Sequence, residues 1–367
     1  MADLNDRIAV VAGATRGAGR GIACMLGEAG ATVYCTGRSV RGKPATGKRP
    51  ETIEETAEMV TARGGVGIHV QVDHTVESQV QTLFDRIKHE QDRLDILVND
   101  VWGGDDLTEW GKPFWKLSLD KGMLMLDRAV NAHIITSRHG VPIMVEHNSG
   151  LIVEITDGAH NLYRGSLFYD LSKMSAIRLA YAMAVELKSH DITALAVTPG
   201  FLRSEMMLEN FGVTEQNWQE GAKKDPHFAQ SETPFFVGRA VAALAADPKV
   251  ASKAGQALSS WKLAREYKFD DIDGRRPDFG GYLLELITTA LLGVAQTAPA
   301  SAHESDVDGK KARSRVKKAV REQFGRVGIS HMLQMTPDGL YNDLVALRHD
   351  PDQSTVARLT ERYFDIG

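Results

Sequence analysis

The chain has 367 residues, a formal charge of −5, 43% apolar and 25% charged side chains. That balance supports a sizeable folded core, argues against a disordered polymer and supplies no global attraction for nucleic acid. Two cysteines, Cys24 and Cys35, are too few for a disulfide framework or a cysteine metal cluster, and no apolar run reaches the roughly 18 residues of a membrane span. The start, MADLNDR, has no signal-like apolar core, so a cytoplasmic setting is expected, with no metal site and no nucleic-acid partner.

Arg7–Ala12 (RIAVVA) is a short, valine-rich apolar run; a glycine cluster follows, and the apolar spacing then becomes helical in GIACMLGEAG. This reads as strand, loop, helix. Further strands are expected at Thr32–Thr36, Gly67–Val72, Leu94–Val98, Leu151–Ile155, Thr193–Val197 and Ala257–Ser260. Most are separated by helix-length segments, such as the one carrying Val80, Leu83, Phe84 and Ile87 at i, i+3, i+4 and i+7. The alternation predicts an α/β fold: a Rossmann-like doubly wound parallel sheet with helices on both faces, plus a C-terminal helical extension. Ligands of such sheets bind beyond the carboxyl ends of the strands.

The pattern fades near Tyr282, which divides the chain into a dinucleotide-binding domain, 1–282, and a linker with helical extension, 283–367. The extension holds an apolar run, LLELITTALLGVA, a linker-like TAPASAHESDVDG, a basic helix candidate, KKARSRVKKAVREQFG, and two short helical pieces ending near Tyr363. The apolar run is expected to dock on the core or a second subunit. The basic helix is expected to be a solvated face rather than a membrane or partner contact.

Gly13-Ala14-Thr15-Arg16-Gly17-Ala18-Gly19 follows the first strand, with glycine spacing three-then-one rather than the common one-then-two. Glycines there let a diphosphate approach the backbone and leave its charge at the positive end of the next helix. Where an acidic side chain would accept the ribose hydroxyls of NAD, at the end of the second strand, stands Gly37, followed by Arg38. Arg16 and Arg38 can flank a 2′-phosphate, so NADPH (NADP) is expected ahead of NADH. Arg41, Lys43, Lys48 and Arg49 either close over the same phosphate or form a solvated basic loop.

Carbonyl reduction needs a proton for the developing alkoxide. In Tyr169-Asp170-Leu171-Ser172-Lys173 the lysine falls on the tyrosine's own helical face. A cation about 4 Å from the hydroxyl, at an effective dielectric near 20, contributes about 4 kcal/mol, roughly three pKa units. The helix continues with apolar Ala176, Leu179, Ala180, Met183 and Leu187.

Together these features resemble the short-chain dehydrogenase/reductase family. The glycine turn is similar to TGxxxGxG with Ala12 in place of the threonine, YxxxK follows the fifth strand by about a dozen residues, and Pro199-Gly200 follows the sixth. The runs GRGIA, GATVY, TGR and DILVN are similar to the family's dehydrogenase/reductase member one branch, and the likeness covers roughly the first 280 residues. The resemblance implies Tyr169 as proton donor, Lys173 as the cation that lowers its pKa and holds the nicotinamide ribose, and Asn131 as support for a proton-relay water. It implies further cofactor contacts from Gly13, Thr15, Arg16, Gly17, Ala18 and Gly19, from Arg38, from Asp73 at the adenine, and from Asn99, first of an NNAG-like motif that departs at Asp100, Val101 and Trp102. Pro199, Gly200, Leu202 and Ser204 would meet the nicotinamide carboxamide. The family serine is absent: Thr156, thirteen residues before Tyr169, or Asp157, by a one-residue slip, stands in its place. A threonine hydroxyl would donate to the substrate oxygen, an ionised aspartate would repel its developing charge, and an aspartate protonated by burial would donate.

The resulting expectation is an NADPH-dependent oxidoreductase that reduces an aldehyde or ketone to an alcohol, reversibly in principle, as a homodimer or homotetramer. The alternative is a non-catalytic dinucleotide-binding sensor or scaffold of the same fold. Substrate walls are sought in the connections carrying Trp102, Trp110 and Trp115, and Met206, Met207, Phe211 and Trp218, which equally suit core or subunit contacts.

Overall fold

The computed structural model describes residues 3–43, 45, 49–159, 163–297, 306–329, 332–333 and 353–364. Seven strands, β1 (Ile8–Ala12), β2 (Thr32–Gly37), β3 (Val66–Gln71), β4 (Ile96–Asn99), β5 (Gly150–Ile155), β6 (Ile192–Thr198) and β7 (Ala257–Ser259), form one sheet in the order β3-β2-β1-β4-β5-β6-β7. Every neighbouring pair is parallel; Ala12, for example, lies between Thr36 and Asn99. The order reverses between β1 and β4, the switch point at which sheets of this kind take their ligands.

The strands carry apolar side chains on both faces, as a sheet covered by helices on both sides requires. Ala9, Val11, Val33, Ile96, Val98, Val153 and Val197 join one core with α1 (Gly17–Glu28), α2 (Ile53–Thr61), α8 (Pro234–Ala246) and α9 (Ser260–Tyr267). Ile8, Val10, Tyr34, Leu97, Ile152 and Ala194 join the other, with α3 (Glu77–Gln91), α5 (Ala132–His147) and α6 (Leu167–Leu187). The α3 stripe is the expected Val80, Leu83, Phe84 and Ile87. On α6 the buried stripe is Ser172, Ala176, Ala180, Ala184 and Leu187, so small residues let this helix lie close to the sheet, and the expected Leu179 and Met183 are half-buried beside them. Helices α1 and α8 meet at Gly21 and Gly238: a Cβ on Gly21 would overlap the carbonyl of Pro234.

The strand bounds differ from the sequence reading by one or two residues, as at β3 and β4. The fourth strand starts at Ile96, just after Asp95, whose carboxylate accepts the Ile8 N–H at 2.9 Å and pairs with Arg7 and Arg93. The third ends at Gln71, and Asp73 opens a turn by accepting the Thr75 N–H and hydroxyl. Cys24 and Cys35 are both buried and free; burial pushes the Cys24 thiol up to about 11 and raises that of Cys35 as well.

Described residues up to Pro277, apart from 163–165, form one compact unit; 163–165 and those from Asp278 on form a second. The division precedes Tyr282 because the apolar helix α10 starts at Phe279 and runs to Thr297. Its buried residues Ile287, Ala290, Leu291 and Val294 share a core with Val320 and Phe324 of α11 (Asp306–Arg326) and Leu359 and Phe364 of α12 (Gln353–Phe364). Within this unit the apolar run finds partners in the basic helix and the terminal helix. Residues 298–305 of the expected linker, and the first of the two short helical pieces, lie outside the described residues. Among the described residues no helix is long and apolar enough to cross a membrane.

Candidate active site

The glycine turn is fixed by its neighbours. The N–H groups of Gly13 and Ala14 donate to the Thr36 carbonyl at 3.0 and 2.9 Å, and the Asp100 N–H donates to Ala12. Gly13 has φ +93°, and a Cβ there would overlap the Asp100 carbonyl, so only glycine fits. Helix α1 opens at Gly17 with no side-chain cap from Arg16, leaving its first N–H groups unpaired by the helix itself. The Gly17 N–H instead donates to the Glu205 carboxylate at 2.8 Å, which places a negative charge at the positive end of the helix. Glu205 opens α7 (Glu205–Phe211), whose N-cap is Ser204; the Ser204 hydroxyl accepts the Met207 N–H at 3.3 Å. Ala18 and Gly19 are buried in the first turn of α1, and a Cβ on Gly19 would lie 2.8 Å from the Asp100 carboxylate.

The basic groups divide. Arg16 Nε donates to Glu51 at 3.2 Å, whereas its buried Nη2 has no hydrogen-bond partner among the described residues. Burial works against the charge of Glu51, but hydrogen bonds from Arg49 outweigh it and hold its carboxyl below the usual range. Arg49 also reaches Glu209 on α7 at 2.7 Å. Arg41 turns away to Glu58 on α2; Lys48 lies outside the described residues. Arg38 stands 3.8 Å from Asp73, and Arg128, lowered by burial and then by Arg38, adds a second cation there. A Cβ on Gly37 would meet Thr15 Oγ1 at 2.6 Å and Ile53 at 3.1 Å, so the acidic side chain of an NAD-type site has no room.

Beyond the carboxyl end of β5, the Tyr169 hydroxyl donates to the Asp157 carboxylate at 2.6 Å. Thr156 is buried and turned away; its hydroxyl donates to the Lys173 carbonyl at 2.8 Å. Asp157, not Thr156, therefore meets the tyrosine, and it is exposed. Lys173 lies one helical turn beyond Tyr169, with its ammonium 3.9 Å from the Trp102 ring centre and 5.6 Å from that of Tyr169. Trp102 and Trp110 flank the Tyr169 ring at 5.6 and 5.1 Å. Trp115 is exposed, while Phe211, Phe228 and Trp218 pack against one another, so the second connection is largely filled by its own rings.

Asn131 closes a π-turn, Asp127–Asn131, between α4 (Leu119–Leu126) and α5. Such insertions aim side chains off the regular helical face. Asn131 is exposed and donates to Asp127 at 3.2 Å. Asn99 faces inward: its amide donates to Ser137 at 2.9 Å and Glu154 at 2.7 Å, and Glu154 also holds His133 at 2.6 Å. Burial opposes the charge of His133, but Glu154 beside it raises its pKa overall. Burial pushes Asp100 up to about 7 against the pull of Lys173, His133 and the Gly19 N–H.

The Pro199-Gly200 turn rests on a residue that the sequence did not single out. Glu232 is buried, and its Oε2 accepts the Gly200 N–H at 2.9 Å and the Ser260 hydroxyl at 2.6 Å. Oε1 has no hydrogen-bond partner among the described residues, and burial, with Asp271 nearby, pushes this carboxyl up to about 8. The backbone of Leu202 pairs with Glu232 in an isolated parallel bridge, extending the support one step along the turn. In sequence, SETP reads only as an acid at a helix start. Glu51 and Glu205 were equally silent, since single glutamates at loop ends carry no spacing signal.

A glycine turn at the switch point, a tyrosine–lysine helix after β5 and a Pro-Gly turn after β6 define a short-chain dehydrogenase/reductase. The family model for short chain dehydrogenases matches residues 7–212, and the chain belongs to that family of NAD(P)-dependent oxidoreductases acting on CH–OH and C=O groups. It is 34% identical to dehydrogenase/reductase SDR family member 1 of Mus musculus over 280 residues, covering 75% of this chain and 86% of that one, and equally identical to the Homo sapiens protein over 279. Among solved structures, a short chain dehydrogenase from Mycobacterium thermoresistibile superposes with a TM-score of 0.63 at 19% identity, covering 76% of this chain and 93% of that one.

Proposed function

We propose that the protein is an NADPH-dependent reductase of aldehydes or ketones, reversible in principle, with Tyr169 as the acid. The observation that carries this reading is the placement of the Tyr169–Lys173 pair at the carboxyl end of β5. The residues around the crevice fit a dinucleotide: Gly13, Thr15, Gly17, Ala18 and Gly19 would cradle its diphosphate where the Glu205 carboxylate now lies. The Nη2 of Arg16, without a partner among the described residues, and the exposed part of Arg38 would take a 2′-phosphate, which favours NADPH over NADH. Asp73 would face the adenine, and Pro199, Gly200, Leu202 and Ser204 would face the nicotinamide end. The bound dinucleotide supplies a hydride. Tyr169 then protonates the substrate oxygen, Lys173 holds the ribose and favours the tyrosinate left behind, and Asn131 supports a relay water. Asp157 takes the position of the family serine, as the residue hydrogen-bonded to Tyr169.

Exposed apolar residues on α5 and α6, namely Ile134, Leu171, Tyr181 and Val185, support a homodimer or homotetramer. Residues 1–282 form the working domain in this reading, and 283–367 its extension. One observation favours the sensor alternative: the Tyr169 proton is already engaged by Asp157. NADPH oxidation against a panel of aldehydes, ketones and quinones, with Tyr169→Phe beside wild type, tests the proposal. Turnover that falls at least about a hundredfold in the variant supports the reductase. NADPH binding without turnover on any member supports the sensor.

A further inference from the structure

In carbonyl reduction the atom that receives the tyrosine's proton is an oxygen, and its second neighbour should be another donor. Here that neighbour is a carboxylate. Asp157 offers only acceptor oxygens when ionised, and one of them lies 2.6 Å from Tyr169 Oη. Any substrate atom that reaches the tyrosine hydroxyl from the crevice is therefore brought close to Asp157. A carbonyl oxygen there sets lone pairs against lone pairs, whereas an N–H carrying positive charge would donate to Asp157 in a charge-assisted bond. The hydroxyl that could have relieved the carbonyl, that of Thr156, is committed to the Lys173 backbone. The aromatic surroundings suit the same ligand. Trp110 is 58% exposed with its ring 5.1 Å from that of Tyr169, and an indole face attracts a planar cation.

We infer that Asp157, Tyr169 and Trp110 form a subsite for a protonated nitrogen, so that the substrate class of this enzyme includes iminium ions, planar C=N groups with the shape of a carbonyl and a positive charge. The inference rests on the reductase reading for its reductant, the reduced dinucleotide. A hydride delivered to the iminium carbon forms the C–H bond, the C=N π pair moves to nitrogen, and a neutral amine results as the dinucleotide is oxidised. No proton has to leave Tyr169 in that balance, in contrast to the alkoxide formed from a ketone.

Binding tests the subsite separately from turnover. Benzamidinium and its neutral isostere benzamide are titrated into the full-length protein, with and without NADPH, by calorimetry and by quenching of tryptophan fluorescence. Wild type is expected to bind benzamidinium about tenfold more tightly than benzamide, a difference of about 1.4 kcal/mol. Asp157→Asn and Asp157→Ser should abolish that preference, Trp110→Ala should reduce it, and Glu186→Gln, which removes an exposed acid elsewhere, should leave it intact. Equal binding of the two probes, no binding of either at millimolar concentration, or a preference that survives in Asp157→Ser overturns the inference. Loss of the reductase reading has a different signature: the cation preference persists while carbonyl turnover is absent or indifferent to Tyr169→Phe. Asp157→Ser gives a second check, since it should raise ketone turnover as it lowers turnover of a cyclic iminium substrate.

Discussion

Replacing Glu232 by glutamine should make the protein more stable at pH 8 and leave it nearly unchanged at pH 4. In the folded chain this buried carboxyl is pushed up to about 8 from an ordinary 4.5. Because the folded value lies above the unfolded one, the unfolded chain releases the proton first. The acid's contribution is fully present below about pH 4.5 and is lost as pH rises toward 8. Each unit of separation is worth about 1.4 kcal/mol, so the loss approaches about 4 kcal/mol at pH 8. Glutamine keeps an oxygen for the Gly200 N–H and the Ser260 hydroxyl, and it has no proton to lose. Urea transitions of wild type and Glu232→Gln at pH 4, 6 and 8 should diverge steadily in favour of the variant as pH rises. Curves that stay parallel would refute a neutral Glu232 beneath the Pro-Gly turn. Glu232→Ala should differ again, with weaker NADPH binding at every pH, because the Gly200 N–H loses its acceptor.

Three further outcomes are expected. Glu205→Gln removes the charge that competes at the start of α1, so NADP should bind roughly fivefold more tightly by calorimetry, given about 1 kcal/mol for a charge at a helix terminus; unchanged or weaker binding would count against Glu205 as a stand-in for the diphosphate. Arg38→Asp should shift the preference from NADPH toward NADH, read from the ratio of the two dissociation constants, and an unchanged ratio would refute the 2′-phosphate role. Gly13→Ala should cost about 2 kcal/mol or more, from the positive φ and the overlap with Asp100, and should lower the unfolding temperature even without cofactor.

The sheet was legible because its strands are runs of Val, Ile and Ala long enough to need covering on both faces, and because α3 repeats its apolar residues with helical spacing. The tyrosine and lysine were legible for a similar reason: four residues on a helix is a local relation. The choice between Thr156 and Asp157 was not, since both sit where the strand gives way to a loop. It turns on where the threonine hydroxyl finds an acceptor, and that acceptor is the backbone of α6, 17 residues away. Asn99 was legible as a residue at a strand end but not as one facing inward, because Ser137 and Glu154, which hold it, come from distant segments. Glu232 and Glu205 act through backbone N–H groups that only the folded chain brings to them. The bounds of the third and fourth strands were not legible to the residue, because apolar periodicity does not register the side-chain bonds that Asp73 and Asp95 make to nearby backbone.

The glycine contact between α1 and α8 has a mechanical consequence. One helix carries the glycine turn at its start, and the other begins just after Glu232, which props the Pro-Gly turn. With Gly21 and Gly238 back to back, these two helices have no side-chain cushion to slide on. The spacing between the glycine turn and the Pro-Gly turn is thereby built in like the gap of a fixed gauge. Across that same end lies α7, fastened by the grips of Glu205 on Gly17 and Glu209 on Arg49.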